Sequence, residues 1–220
     1  MKNGKMKFNY IGDFSEGLAI VEMGGKWGFI NEQEELVIPC GYHEVGDFFE
    51  GFAKVKVNVR NKADDFFGEY DFWWFIDKSG NQISSLYQEV ESFSEGFAAV
   101  CRDGMWGFIN EKDEPVIPFE YDKADFFFEG LAAVQKHGKW GFIDKSNTLI
   151  IPYEYDNFYG FDEGLCRVLK DGKWGGLIDK MGRAVVPFEY DSTQYRKDGL
   201  IELRKGRNTH LIDKTGKFVS

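Results

Sequence analysis

Cysteine, proline and histidine are scarce in this chain: 3 Cys, 5 Pro and 3 His among 220 residues. Three cysteines cannot all pair, and Cys40, Cys101 and Cys166 fall in different slots of the pattern described below. That argues against a disulfide framework or a thiolate metal site and predicts reduced thiols in a cytoplasmic protein. The few prolines argue against a Pro-rich linker, while 26 glycines point to many tight turns. No run of about 18 apolar residues exists, so no spanning helix is expected. The segment Met1–Tyr10 is polar and lysine-rich with no apolar stretch behind it, which predicts no secretory leader. Basic charge is also short: 27 Lys and Arg stand against 37 Asp and Glu, a net charge of −10. A phosphate-binding surface needs clustered Lys and Arg, so neither nucleic acid nor an anionic membrane is the expected partner.

Catalytic signatures are missing as well. The chain holds no Gly-x-Ser-x-Gly elbow, His-Glu-x-x-His, phosphate loop or Cys-x-x-Cys. His43, His137 and His210 occupy three unrelated slots, with His137 at an expected hairpin turn. No acidic cluster has the spacing of a 12-residue calcium loop. The chain therefore reads as a non-enzyme with no catalytic residues, no metal and no cofactor.

Aromatic residues are plentiful: 22 Phe, 10 Tyr and 6 Trp, enough for a substantial core. They recur on a fixed period. Glu-Gly stands at Glu16-Gly17, Glu50-Gly51, Glu95-Gly96, Glu129-Gly130 and Glu163-Gly164, then as Asp198-Gly199. Ten residues after most of these glycines comes Trp27, Trp106, Trp140 or Trp174, and Ile-Asp or Ile-Asn follows in every copy. A tyrosine comes later, at Tyr42, Tyr87, Tyr121, Tyr155 and Tyr190. In the fourth copy, alternation predicts strands over Leu131–Lys136, Lys139–Asp144 and Thr148–Pro152. Turns lie at Phe127–Gly130, His137-Gly138 and Lys145–Asn147, and Tyr153–Tyr159 returns the chain. The expected fold is all-β, six tandem three-stranded units of about 34 residues each.

The unit boundaries read as a part-repeat over 1–13, repeats over 14–47, 48–92, 93–126, 127–160 and 161–195, and a truncated sixth over 196–220. Residues 6–13 match the piece that the sixth copy lacks. Two architectures follow. In an open twisted β-array the two ends are simply capped differently. In a closed propeller-like ring the N-terminal piece completes the last unit. The short period favours the open array, since a four-stranded blade usually needs about 40 residues.

The string Lys139-Trp140-Gly141-Phe142-Ile143-Asp144-Lys145 resembles the signature of the WG-repeat, or KWG-repeat, family of bacterial proteins. Lys173–Lys180 is a stretched version, and Lys26–Asn31 and Met105–Asn110 are close variants. The second copy departs from it with Trp73-Trp74 and the sixth with Thr209-His210. The resemblance spans the whole chain. It implies a β-repeat fold and carries no general activity.

Regular recurrence places Trp27, Trp73, Trp106, Trp140 and Trp174 in the structural core, where each buries about 150–250 Å². On that reading Trp106→Ala or Trp140→Ala costs about 3–5 kcal/mol. The recurrent acids read as turn formers. One feature belongs to a single copy. The second repeat carries about 12 extra residues, which read as an extended hairpin over about 55–72. Its returning strand places Phe66, Phe67, Tyr70, Phe72 and Trp74 among acidic residues. Those five are the candidate binding residues for a protein partner. A hairpin that only covers a sheet edge is the competing reading. The expected function is a protein-interaction or scaffold module, with self-association through open sheet edges a further option. Glycan binding by exposed aromatics is the alternative.

Overall fold

The structure is a computed structural model and describes residues 7–60 and 69–219, with the backbone alone at 59, 60, 69 and 70. Every regular element among the described residues is a β-strand. The chain divides into two compact units, residues 1–120 and 121–220.

The first unit holds three sheets. The first sheet comprises β1 (Tyr10–Ser15), β2 (Leu18–Met23), β3 (Lys26–Asn31) and β4 (Leu36–Tyr42), an antiparallel meander in chain order. The second comprises β5 (Glu44–Val45), β6 (Phe52–Arg60) and β7 (Glu69–Asp77). The third comprises β8 (Glu89–Val90), β9 (Phe97–Arg102), β10 (Met105–Asn110) and β11 (Pro115–Tyr121).

The second unit begins with a fourth sheet of β12 (Lys123–Phe128), β13 (Leu131–Lys136), β14 (Lys139–Asp144) and β15 (Leu149–Tyr155). The fifth comprises β16 (Asn157–Asp162), β17 (Leu165–Lys170), β18 (Lys173–Asp179) and β19 (Ala184–Val186). The sixth comprises β20 (Ser192–Tyr195), β21 (Ile201–Lys205) and β22 (Asn208–Ile212), with Phe218 bridged to Ile212. A single parallel pair, Trp174 with Ser192, joins the last two sheets.

The all-β repeat expected from the sequence is present, with a fourth strand in the first, third, fourth and fifth sheets. The extra strand is the first of each meander, β12 in the fourth sheet. A bulge between Ala124 and Phe127 inserts Asp125 and Phe126, which breaks the period of two and hides the strand from pattern reading. The same bulge falls between Ile11 and Phe14 and between Phe158 and Phe161. Each sheet thus starts ahead of the Glu-Gly turn. The N-terminal segment pairs with β2 and completes the first sheet.

The two hairpins of the fourth meander close with consecutive positive-φ residues. Glu129 and Gly130 stand at φ 51° and 86°, and His137 and Gly138 at 53° and 76°. Two positive values in a row suit the right-handed twist of the flanking strands. The cores lie between successive sheets. Phe48 of the second unit of the pattern packs edge-on against Phe29 with Ile38 and Ile76, and Phe161 packs on Phe142 with Ile151 and Tyr155. The most deeply buried large side chains are the Phe after each Trp-Gly pair, the following Ile and the repeat Tyr.

Candidate functional site

The glycine of each Trp-Gly pair is set by backbone crowding. A Cβ at Gly141 would lie 2.6 Å from the Ile151 carbonyl oxygen, and one at Gly107 would lie 2.7 Å from that of Ile117. The fourth strand bulges over this point, as the register slip between Trp140 and Phe142 shows. Pro39, Pro118 and Pro152 sit in these strands, which are sheet edges, where a missing N–H breaks no ladder.

Trp74 replaces that glycine in the second sheet, and the fourth strand gives way. Gln82 to Tyr87 spans six residues where Leu36–Tyr42 spans seven, and only the bridges Ile76–Gln82 and Trp73–Tyr87 remain. The bulge is gone because no strand can cross a Trp side chain as it crosses a glycine. The buried Ser84 hydroxyl takes over the lost backbone role and accepts the Phe75 N–H at 2.9 Å.

The recurrent acids perform two jobs. Asp or Asn after the Ile caps its own turn in all six copies. Asp144 Oδ1 accepts the N–H groups of Ser146 and Thr148, and Asp77, Asp179 and Asp213 do the same two and four residues on. The glutamates at the Glu-Gly turns are staples between repeats. Glu50 accepts the N–H groups of Glu95 at 2.7 Å and Gly96 at 2.8 Å, Glu16 that of Gly51, and Glu129 that of Gly164. Lysines from the Ile-Asp-Lys slot complete the staple: Lys78 on Glu16 at 3.1 Å, Lys180 on Glu129 at 3.0 Å, and Lys214 on Glu163. Sequence spacing could not reveal these pairs, because the partners lie about one or two repeats apart.

These contacts fix a pH response. Burial acts to raise the Glu16 carboxyl, but Lys78 and the Gly51 N–H outweigh it and hold the group below its ordinary 4.5. Asp77 lies below 3.8 through Asn81 and its turn amides, and Asp213 does so through Thr215 and the Lys217 amide. Arg183 and turn amides lower Asp179 against its burial. A carboxyl lowered on folding stabilises the fold above its unfolded value, and that stability is lost as pH falls through the folded value. The urea midpoint is therefore expected to hold above about pH 5 and to fall steadily below about pH 4.5. A midpoint flat from neutrality to about pH 3 would show that the staples contribute nothing.

The hairpin β6–β7 is present and long. Its ladder runs through nine pairs from Phe52–Asp77 to Arg60–Glu69. The equivalent hairpin of the first sheet stops at Met23–Lys26, the counterpart of Val57–Phe72. Of the five candidate residues, Phe66 and Phe67 lie outside the described residues, and Tyr70 is placed in β7 opposite Val59 by its backbone. Phe72 is half-buried opposite Val57. Trp74 faces inward: it packs on the Leu18, Phe29, Ile38 and Phe48 cluster and meets Tyr42 edge-on at 6.3 Å. Its indole N–H is buried and finds no acceptor among the described residues. Trp74 thus belongs to the packing of the first two sheets, whereas Phe72 stands where the hairpin leaves them. The opposite face is polar, with Lys56 3.0 Å from Asp71 and 3.4 Å from Glu44 and its ammonium 5.6 Å from the Trp73 ring centroid.

The five repeat tryptophans border the core. Trp106 is buried, at 8 % exposed, while Trp27, Trp73, Trp140 and Trp174 are half-buried. Trp140 meets Phe158 edge-on at 4.9 Å, and Trp27 meets Tyr10 at 5.6 Å. Cys40, Cys101 and Cys166 are free thiols; burial pushes all three up, Cys166 to about 12. His43 Nδ1 accepts the Asn58 N–H at 3.2 Å, His137 forms an exposed hairpin turn, and His210 stacks edge-on between Tyr190 and Phe218. Among the described residues no three His, Cys, Asp or Glu side chains gather as a metal site. No helix among them is long and apolar enough to cross a membrane.

Comparison with solved structures shows a propeller-like β fold. A crystal structure of the eukaryotic initiation factor matches all of this chain at 8% identity with a TM-score of 0.59, and this chain spans 65% of its length. Kluyveromyces lactis Hsv2 matches 92% of this chain at 9% identity with a TM-score of 0.51, over 73% of its own length. No curated protein matches the sequence. The WG containing repeat matches six times, over residues 5–27, 27–60, 73–106, 106–140, 140–174 and 176–207. With the glycine geometry and six sheets of one pattern, the chain belongs to the WG containing repeat family.

Proposed function

We propose that this WG-repeat chain is a non-enzymatic protein-binding module that engages its partner through the β6–β7 hairpin. The observation that carries this reading is the ladder itself. Three pairs, Asn58–Asp71, Val59–Tyr70 and Arg60–Glu69, extend past the point where the first sheet's hairpin turns. A two-stranded ribbon is marginally stable alone, so an extension of this length is best supported by a surface that receives it. Its two faces differ: Val57 and Phe72 pair on one, Lys56, Asn58 and Asp71 stand on the other. An apolar patch beside charged groups is the composition of a protein interface, with aromatic anchors at its centre. The indoles support this choice over glycan binding, since Trp27 and Trp140 are half-buried and each is engaged by a neighbouring ring, Tyr10 or Phe158.

Replacing residues 58–71 by Asn-Gly restores the two-residue turn of the first sheet, because Val57 and Phe72 occupy the slots of Met23 and Lys26. The trimmed protein is expected to keep its urea midpoint, since the ion pair lost with Asp71 is exposed and weak. It is also expected to lose a partner that the intact protein captures from a bacterial lysate and binds again when purified. Equal capture by the two proteins would overturn the proposal.

A further inference from the structure

The fourth sheet and the first strand of the fifth enclose an open cleft of about 190 Å³. Its floor is Leu131, Ala133, Phe142 and Phe161, all buried. Its rim is Phe126, Phe128 and Tyr159, which are 43 %, 45 % and 65 % exposed. Asp125 is the charged group in the wall.

Two features of the repeat coincide here. In the first sheet the residue paired with Phe29 is Ile20, in the second that paired with Phe75 is Lys54, and in the fifth that paired with Leu177 is Arg167; in the third and fourth the residues paired with Phe108 and Phe142 are Ala99 and Ala133. A methyl in place of these longer chains leaves the volume. The rim departs in the opposite sense. The bulge that holds Gly12 and Asp13 in the first sheet holds Asp125 and Phe126 here and Tyr159 and Gly160 in the fifth. Phe128 occupies the slot of Ser15, which Phe49 fills in the second copy. Ala99 repeats the short floor in the third sheet and Phe49 repeats one rim ring in the second, but among the described residues the alanine floor meets aromatic rings at the bulge and at the Phe128 slot only here.

We propose that this cleft binds a compact aromatic amine, with the ring on the Ala133 floor and the ammonium at the Asp125 carboxylate. A dry apolar cavity of about 150 Å³ is known to admit benzene, so the volume suits one ring. Aromatic rings beside a site attract a cation, and Asp125, whose Oδ1 also accepts the Phe126 N–H at 2.8 Å, adds the opposite charge. Arg167, which does not line the cleft, lies 3.7 Å from the Tyr159 ring centroid and donates to the Thr193 carbonyl at 2.6 Å, which fixes that wall.

The test is calorimetric titration and saturation-transfer NMR of the full chain with benzylamine, benzyl alcohol and phenylacetate. Benzylamine is expected to bind with Kd on the order of 1 mM, the alcohol more weakly and phenylacetate weakest. Ala133→Ile installs the first sheet's own residue, so the fold should hold while benzylamine binding falls roughly tenfold or more. Asp125→Asn should erase the preference for amine over alcohol. Absent benzylamine binding, or binding unchanged in a folded Ala133→Ile protein, overturns the site. Equal binding of all three probes overturns the amine assignment. The cleft lies in the second unit and the hairpin in the first, so either proposal can fail without the other.

Discussion

Gly141→Ala is expected to destabilise the protein by about 3 kcal/mol or more, although it adds a single methyl. Gly141 does not stand at positive φ, so alanine meets no conformational objection there. The cost is steric: the new Cβ would sit 2.6 Å from the Ile151 carbonyl oxygen and 3.1 Å from the Pro152 carbonyl carbon. Both are backbone atoms of a seated strand and cannot rotate away. Seating β15 elsewhere would uncover Ile151 and Tyr155, both in the core. Gly138→Ala is the control. That glycine has φ 76° and open space around it, so alanine should cost only about 1–2 kcal/mol of backbone strain. Urea midpoints separate the two variants. If Gly141→Ala matches wild type, the fourth strand does not cross Gly141 as described.

Phe142→Ala should cost about 3–5 kcal/mol, because the ring is 2 % exposed and packs between Ile151, Phe158 and Phe161. Trp106→Ala should cost a similar amount, since that indole is nearly covered. Trp140→Ala should cost less, about 2 kcal/mol, because half-buried surface loses only part of the transfer energy. The order Phe142 ≥ Trp106 > Trp140 in urea unfolding tests the placement of the tryptophans at the border of the core. A larger loss at Trp140 than at Phe142 would reverse it.

Repetition made much of the fold readable. Five spaced features recurring together, from Glu-Gly to the repeat Tyr, mark the repeat, its tight hairpins and the longer second hairpin in the residues alone. Period-two alternation is displaced by a bulge at Gly12-Asp13, Asp125-Phe126 and Tyr159-Gly160, which hides the first strand of the first, fourth and fifth sheets. The residues of that same bulge form the rim of the cleft. Phe126 and Tyr159 stand where the first sheet has Asp13 and Gly12, whereas the slot of Phe128 is also aromatic in the second copy, at Phe49.

Local chemistry is what the sequence by itself determined: strand spacing, turns that need positive φ, and an Asp or Asn capping each Ile-Asp turn, all of them interactions within a few residues. Tertiary structure alone decided the rest. The clash that requires Gly141 comes from a strand ten residues away, the partner of Glu50 lies 45 residues on, and the inward turn of Trp74 depends on the sheet beside it. Those contacts depend on how sheets stack, and a pattern of side chains along one strand carries no record of which backbone will lie across it.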